Sequence, residues 1–208
     1  MRVPRAGLTP AIVVAEAAKL ADEVGLDRLT LALVAQRLGV ALPSLYKHVK
    51  GLDDLHQKLA ALTTAELAAD LATAAVGRSG TEAVQAVATA YRTYARAHAG
   101  RYPASQRIPD PSNPEHVRAG EQAVGTIYAV LSGYGLTGDD AIDATRALRS
   151  ALHGFVSLEN AGGFGLPQDV NRSYDRLVRA LDAAFRSWPT AEPSAQPGTA
   201  PTAELPGR

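Results

Sequence analysis

The apolar positions of this chain fall into runs spaced by three and four residues, the period of helices packed on one face. Val13, Ala17, Leu20, Ala21 and Val24 form a first stripe that ends at Gly25. Thr9-Pro10 ahead of it gives an N-cap and a proline at the first helical position. A second, shorter stripe holds Leu31, Val34, Ala35 and Leu38 at i, i+3, i+4 and i+7, with Thr30 as its N-cap. Gly39 follows the last apolar position, where a glycine can adopt the left-handed conformation that closes a helix, and Val40 supplies the apolar contact that often follows. Pro43 is tolerated only in a first helical turn, so the next helix begins near Ala41 or Leu42 and runs through Tyr46. Helix, three-residue turn, helix is the unit whose second helix can enter a DNA major groove.

Beyond Gly51, Asp53 and Asp54 favour a helix N-terminus, and Leu55, Leu59 and Leu62 lead into an alanine-rich stretch to about Ala75. This helix is expected to link two domains. Val76 to Gly80 reads as a loop. From Thr81 a face of Val84, Val87, Ala88, Tyr91, Ala95 and His98 predicts the next helix. Residues 100 to 114 carry Gly100, Pro103, Pro109, Pro111 and Pro114, which predicts an irregular or broken element. A helix through Val117, Val124, Ile127, Tyr128 and Leu131 follows. Another, from about Asp139 to Ala161, is apolar around much of its circumference and so is expected to be buried on more than one side. The last, Gln168 to Trp188, sets Val170, Tyr174, Leu177, Val178, Leu181, Phe185 and Trp188 against a charged face. No run alternates as a strand would. The predicted fold is all-α, about nine helices: a three-helix N-terminal domain over 1–52, a helical bundle over 53–188, and a disordered, proline-rich tail over 189–208.

Charge sharpens this division. The chain of 208 residues has a formal net charge of zero, but residues 1 to 50 hold seven Lys/Arg against four Asp/Glu, a net +3 that suits a phosphate-binding end. Arg2 and Arg5 lie on a short N-terminal arm that either reaches phosphates or is simply a tail. There is no cysteine, which excludes disulfides and thiolate chemistry. The lack of a long apolar run or signal-peptide core predicts a soluble protein without membrane contact, in the cytoplasm and associated with the nucleoid.

The run Leu38 to Leu55, LGVALPSLYKHVKGLDDL, together with the helix before it, closely resembles the DNA-binding domain of the tetracycline-repressor (TetR) family of bacterial transcriptional regulators. The match spans roughly residues 9 to 62, with Gly39-Val40, Pro43, Leu45-Tyr46 and His48-Val49 in one register. The resemblance implies that Leu42, Pro43 and Ser44 lie against base edges, while Thr30, Tyr46, His48 and Lys50 meet phosphates; Lys47 faces the same way. The chemistry agrees, since Ser44 can bond a base edge, Leu42 and Pro43 can meet a thymine methyl, and Lys50 gives salt-dependent affinity. Two further readings stand beside these: Tyr46 as a half-buried packing residue and His48 as a surface histidine. Ala32 stands where the tetracycline repressor itself has an arginine, and Leu52 where many relatives have a lysine, which predicts a different operator and puts anchoring at Leu52 in question.

A second, shorter similarity, through Ala151-Leu152-His153-Gly154-Phe155, Leu158-Glu159 and Gly162-Gly163-Phe164-Gly165, resembles the TetR-like effector domain of the WHG type. It implies a homodimer through the last two long helices, a double-stranded palindromic operator, and a small-molecule effector among the middle helices. Tyr91, Tyr94, His98, Tyr128 and His153 are the polar-tipped candidates for the effector site; each also reads as ordinary core. No cofactor or metal is expected: the five histidines, His48, His56, His98, His116 and His153, show no ligand spacing, and neither HExxH, Gly-x-Ser-x-Gly nor a phosphate loop is present. The expectation is therefore a non-enzymatic, ligand-responsive transcriptional regulator, most simply a repressor. The alternative is a helical adaptor without sequence-specific DNA binding.

Overall fold

The computed structural model describes residues 7–189; the N-terminal arm with Arg2 and Arg5 and nearly all of the proline-rich tail lie outside them. Eight α-helices and two short 3₁₀ segments are present among these residues, close to the expected nine helices, with no strand.

Helix α1, Pro10–Val24, starts where Thr9 Oγ1 accepts the Ile12 N–H at 3.2 Å. It stops at Gly25, whose φ of 87° suits glycine. A 3₁₀ turn, Leu26–Arg28, leads to α2, Leu31–Leu38, capped by Thr30 Oγ1 on the Leu33 N–H at 3.2 Å. Gly39 is left-handed with φ 66°, and the Val40 N–H reaches back to the Ala35 carbonyl at 3.0 Å, the closure that the Gly-Val pair predicts. Helix α3, Leu42–Leu45, is a single turn extended through Val49 by the bonds His48 N–H to Leu45 O, 2.8 Å, and Val49 N–H to Leu45 O, 2.9 Å.

Helix α4, Leu52–Ala75, is the longest element, with 24 residues. Helix α5, Gly80–Ala97, begins one residue earlier than its apolar stripe indicates. The proline-rich segment is not wholly irregular. Pro103 occupies the first turn of a 3₁₀ segment, Tyr102–Gln106, where its missing N–H loses no bond, and this segment lies across α4. Helices α6, Pro114–Ser132, α7, Gly138–Asn160, and α8, Val170–Arg186, complete the bundle. Helix α8 is shorter than its apolar spacing suggests. Asp169 caps it by accepting the Asn171 N–H at 2.9 Å, and its regular bonding ends at Ser187.

Two hydrophobic cores result. The first gathers α1, α2 and α3 around Val13, Ala17, Leu29, Val34, Leu45 and Val49, and it takes Leu55 and Leu59 from α4 and Ala104 from the 3₁₀ segment. The second holds Leu67 and Leu71 of α4 with Val84, Tyr91, Tyr102, Leu131, Leu148, Leu152, Tyr174 and Phe185. Helix α4 thus belongs to both cores, and the first core runs past residue 52. The cores meet at a close backbone approach: a methyl group on Gly100 would overlap the Ala21 carbonyl on α1. Around this point Asp22 of α1 binds the Arg101 N–H at 3.0 Å and lies 3.2 Å from His98 Nδ1. Arg101 also lies 3.5 Å from Glu66 of α4, and the Tyr94 hydroxyl donates to Glu66 at 2.9 Å.

Candidate functional site

At the N-terminal end, the two apolar anchors of the recognition turn, Leu45 and Val49, are buried at 0% and 1% exposure, and they fix which side chains face outward. Leu42, Pro43, Tyr46, Lys47 and Lys50 are exposed, while Ser44 and His48 are half-buried. Tyr46, at 55% exposure, stands off the core, against its reading as a half-buried packing residue. Thr30 is exposed on the same domain, its hydroxyl engaged in the α2 cap. The Lys50 N–H donates to Asp54 Oδ2 at 2.8 Å, tying the end of the turn to the first turn of α4. Arg37 is held by Glu23 of α1 in a two-point bridge, whereas Lys47 and Lys50 have no carboxylate partner among the described residues. Ala32 is exposed, and so is Leu52, at 38%. The exposed surface therefore offers apolar, hydroxyl and ammonium groups in one short stretch, a mixture that can meet both base edges and phosphates.

The second feature is a cavity of about 540 Å³ enclosed by α4, α5, α6, α7 and the segment after Tyr102. Its walls are largely apolar, with Leu67, Leu71, Val87, Val124, Ile127, Leu148 and Leu152 among them. Of the five residues predicted for an effector, the structure brings Tyr91 and Tyr128 to this wall. His153 stands behind it: the Tyr91 and Tyr102 hydroxyls are 2.8 Å apart, and Tyr102 in turn lies 2.7 Å from His153 Nδ1. Tyr94 and His98 do not line the cavity. Their bonds to Glu66 and Asp22 place them in the contact between the two cores.

Sequence reasoning missed several polar residues that the fold turns inward. His116 is fully buried, with Nε2 3.3 Å from the Thr64 hydroxyl and Nδ1 without a partner, and it lines the cavity. Burial, and then the Arg107 charge, lower its pKa and keep the imidazole neutral. Thr145 likewise lines the wall with an unbonded hydroxyl. Gln106, Arg107 and Arg149 complete the polar side. A usable signal did exist for His116: it lies one and two turns before Gly120 and Val124, on the face that α6 turns to its neighbours. For Tyr91, burial raises the phenol pKa, so it enters this site as a neutral hydroxyl. No group of three His, Cys, Asp or Glu among the described residues is placed to hold a metal.

Known proteins resemble this chain in sequence and in fold. A family model described as the tetracyclin repressor-like C-terminal domain matches residues 84–181. The uncharacterized HTH-type transcriptional regulator YobS of Bacillus subtilis is 32% identical over 178 residues, covering 86% of this chain and 93% of that protein. The chain belongs to the TetR family of helix-turn-helix transcriptional regulators. A second uncharacterized HTH-type regulator, Rv0681 of Mycobacterium tuberculosis, is 42% identical over 142 residues, which cover 68% of this chain and 65% of that protein, slightly under two thirds of its length. Among solved structures, TetR of Acinetobacter baumannii, as a variant in complex with minocycline, has a TM-score of 0.69 at 23% identity, covering 87% of this chain and 98% of that one. ActR of Streptomyces coelicolor has a TM-score of 0.65 at 19% identity, covering 90% and 97%. These last two likenesses concern the TetR fold. DNA binding and transcription regulation are the roles of this family member, and no helix among its described residues is long and apolar enough to cross a membrane.

Proposed function

We propose that this TetR-family regulator is a repressor that binds a palindromic operator as a homodimer and is released when a small organic molecule enters the α4–α7 cavity. The observation that carries the reading is the course of α4. One unbroken helix has Leu55 and Leu59 in the core that seats the recognition turn, and Thr64, Leu67 and Leu71 in the cavity wall. Packed helices shift between discrete arrangements rather than deform continuously, so a molecule that displaces Leu67 and Leu71 moves the other end of α4 as well. The recognition turn follows, because Lys50 is bonded to Asp54.

In this reading Leu42, Pro43 and Ser44 meet base edges, while Thr30, Tyr46, Lys47, His48 and Lys50 meet phosphates. The two-fold axis is supplied by α7 and α8. Their outward surface keeps Leu158, at 53% exposure, and the small residues Gly154, Ala180, Ala183 and Ala184, which allow the close helix approach of a four-helix contact. The complex of the Acinetobacter protein with minocycline supports the size class of the ligand. Coupling between the sites is reciprocal, so operator DNA weakens ligand binding by the factor by which ligand weakens operator binding.

Selection of bound duplexes from a random pool at near-physiological salt tests the proposal. The expected product is a palindrome with half-sites about one helical turn, roughly 34–36 Å, apart. Recovery of no sequence, with binding that disappears as salt rises, would favour an adaptor whose basic patch meets phosphates only.

A further inference from the structure

The cavity wall is not uniformly apolar, and its polar part has a sign. Two guanidinium groups, Arg107 and Arg149, line that wall beside Gln106, the first as its chain neighbour and the second bonded to its side chain. Arg149 has no carboxylate partner among the described residues; its Nη2 donates only to the Gln106 side-chain oxygen, at 3.3 Å. Arg107 is paired at 3.0 Å with Asp53, which is 80% exposed, a surface pair of the kind that contributes little and exchanges readily. His116 adds a buried ring nitrogen with no partner, which is costly to leave unmade. The one acidic residue on the wall, Glu121, stands on α6 and is exposed.

We infer that the cavity takes an amphipathic organic acid, its apolar body among the helices α4, α6 and α7 and its carboxylate between Arg149 and Arg107, with His116 completing its hydrogen bonds. This rests on the reading of the cavity as the effector site. A guanidinium presents paired donors that match a carboxylate, and because Arg149 is exposed and Arg107 half-buried the head group lies at the mouth of the cavity with the apolar body inward. An alcohol of the same skeleton would gain the same apolar burial and leave Arg149 without a charged partner.

Competition against a neutral fluorescent probe separates the two claims. N-phenylnaphthylamine carries no charge and reports the cavity whatever its head-group preference. With the full chain, dodecanoic acid is expected to displace it at about ten-fold lower concentration than dodecanol, and Arg149→Gln to bring the two competitors close together. Equal displacement by acid and alcohol in the unaltered protein would overturn the acid class while leaving the cavity as an effector site. So would an acid preference that survives Arg149→Gln combined with Arg107→Gln. Failure of the probe to bind, or binding unaffected by Gly120→Phe, which adds a ring beside Pro109 in the cavity wall, would remove the effector reading itself.

Discussion

The two ends of this molecule carry their chemistry in opposite ways. The recognition unit is built from about twenty consecutive residues, its outward groups exposed and its anchors buried by local spacing alone. The cavity is assembled from five separate segments, and its polar groups, His116, Gln106, Arg107 and Arg149, are brought together only by the packing of α4, α6 and α7. A surface that must reach a flat, charged polymer can be written locally. An enclosure cannot, because every wall is another element's face.

Truncation of core side chains is the strongest way to separate the two regions. Leu59 is fully buried in the N-terminal core, whereas Leu152 borders the existing cavity. Leu59→Ala should cost about 4 kcal/mol and Leu152→Ala about 2 kcal/mol, because a side chain beside a void has fewer contacts to lose. Chemical denaturation would check this; equal costs would mean that the cavity is closed in solution. Next in size is the junction. Gly100→Ala forces a methyl into the Ala21 carbonyl and should destabilise by roughly 3 kcal/mol, lowering Tm by on the order of 8 °C in a thermal melt.

Substitutions on the recognition surface should behave differently. Tyr46→Ala and Lys50→Ala are each expected to weaken operator binding by about 1–2 kcal/mol in a titration, with unfolding free energy unchanged within about 0.5 kcal/mol. Lys50→Ala should also reduce the salt slope by about one. A smaller effect is expected in acid. Hydrogen bonds from Arg92 hold the Glu159 carboxyl below its ordinary 4.5, so this pair stabilises the bundle above that pH and is lost as pH falls through the folded value. Glu159→Gln should flatten the acid limb of the stability profile without changing its neutral slope. Smallest of all, Asp53→Ala breaks only an exposed pair and should shift stability by less than about 0.5 kcal/mol.

The helices were legible because their signals are local: Thr9 and Thr30 cap as their positions indicate, and Gly39 turns left-handed where the apolar stripe stops. The outward positions Leu42, Pro43, Tyr46 and Lys47 followed from the same spacing, with Ser44 only half-exposed, whereas His48 and Lys50 came from the family resemblance. Less could be read in the cavity. Tyr91 and Tyr128 reach it, yet Tyr94 and His98, which share a helix face with Tyr91, are bound to Glu66 and Asp22 instead. The reason is distance along α5: Tyr94 and His98 lie one and two turns beyond Tyr91, where the polar neighbours are Glu66 of α4 and Asp22 of α1 rather than the α6 wall. The buried Tyr102 was hidden within a run of prolines that reads as loop, although a 3₁₀ turn needs only a few residues and tolerates Pro103.

The central claim is that filling the cavity moves the recognition turns through α4. Because the chain has no cysteine, Gln36→Cys on exposed α2 gives one spin label per chain, and in the proposed dimer electron-electron distance measurement then reports the spacing between the two recognition units. With the selected operator bound, a single narrow distance is expected, and N-phenylnaphthylamine in the cavity should shift the population to a longer one. A distribution unchanged by the probe, while its fluorescence shows the cavity filled, would contradict the coupling.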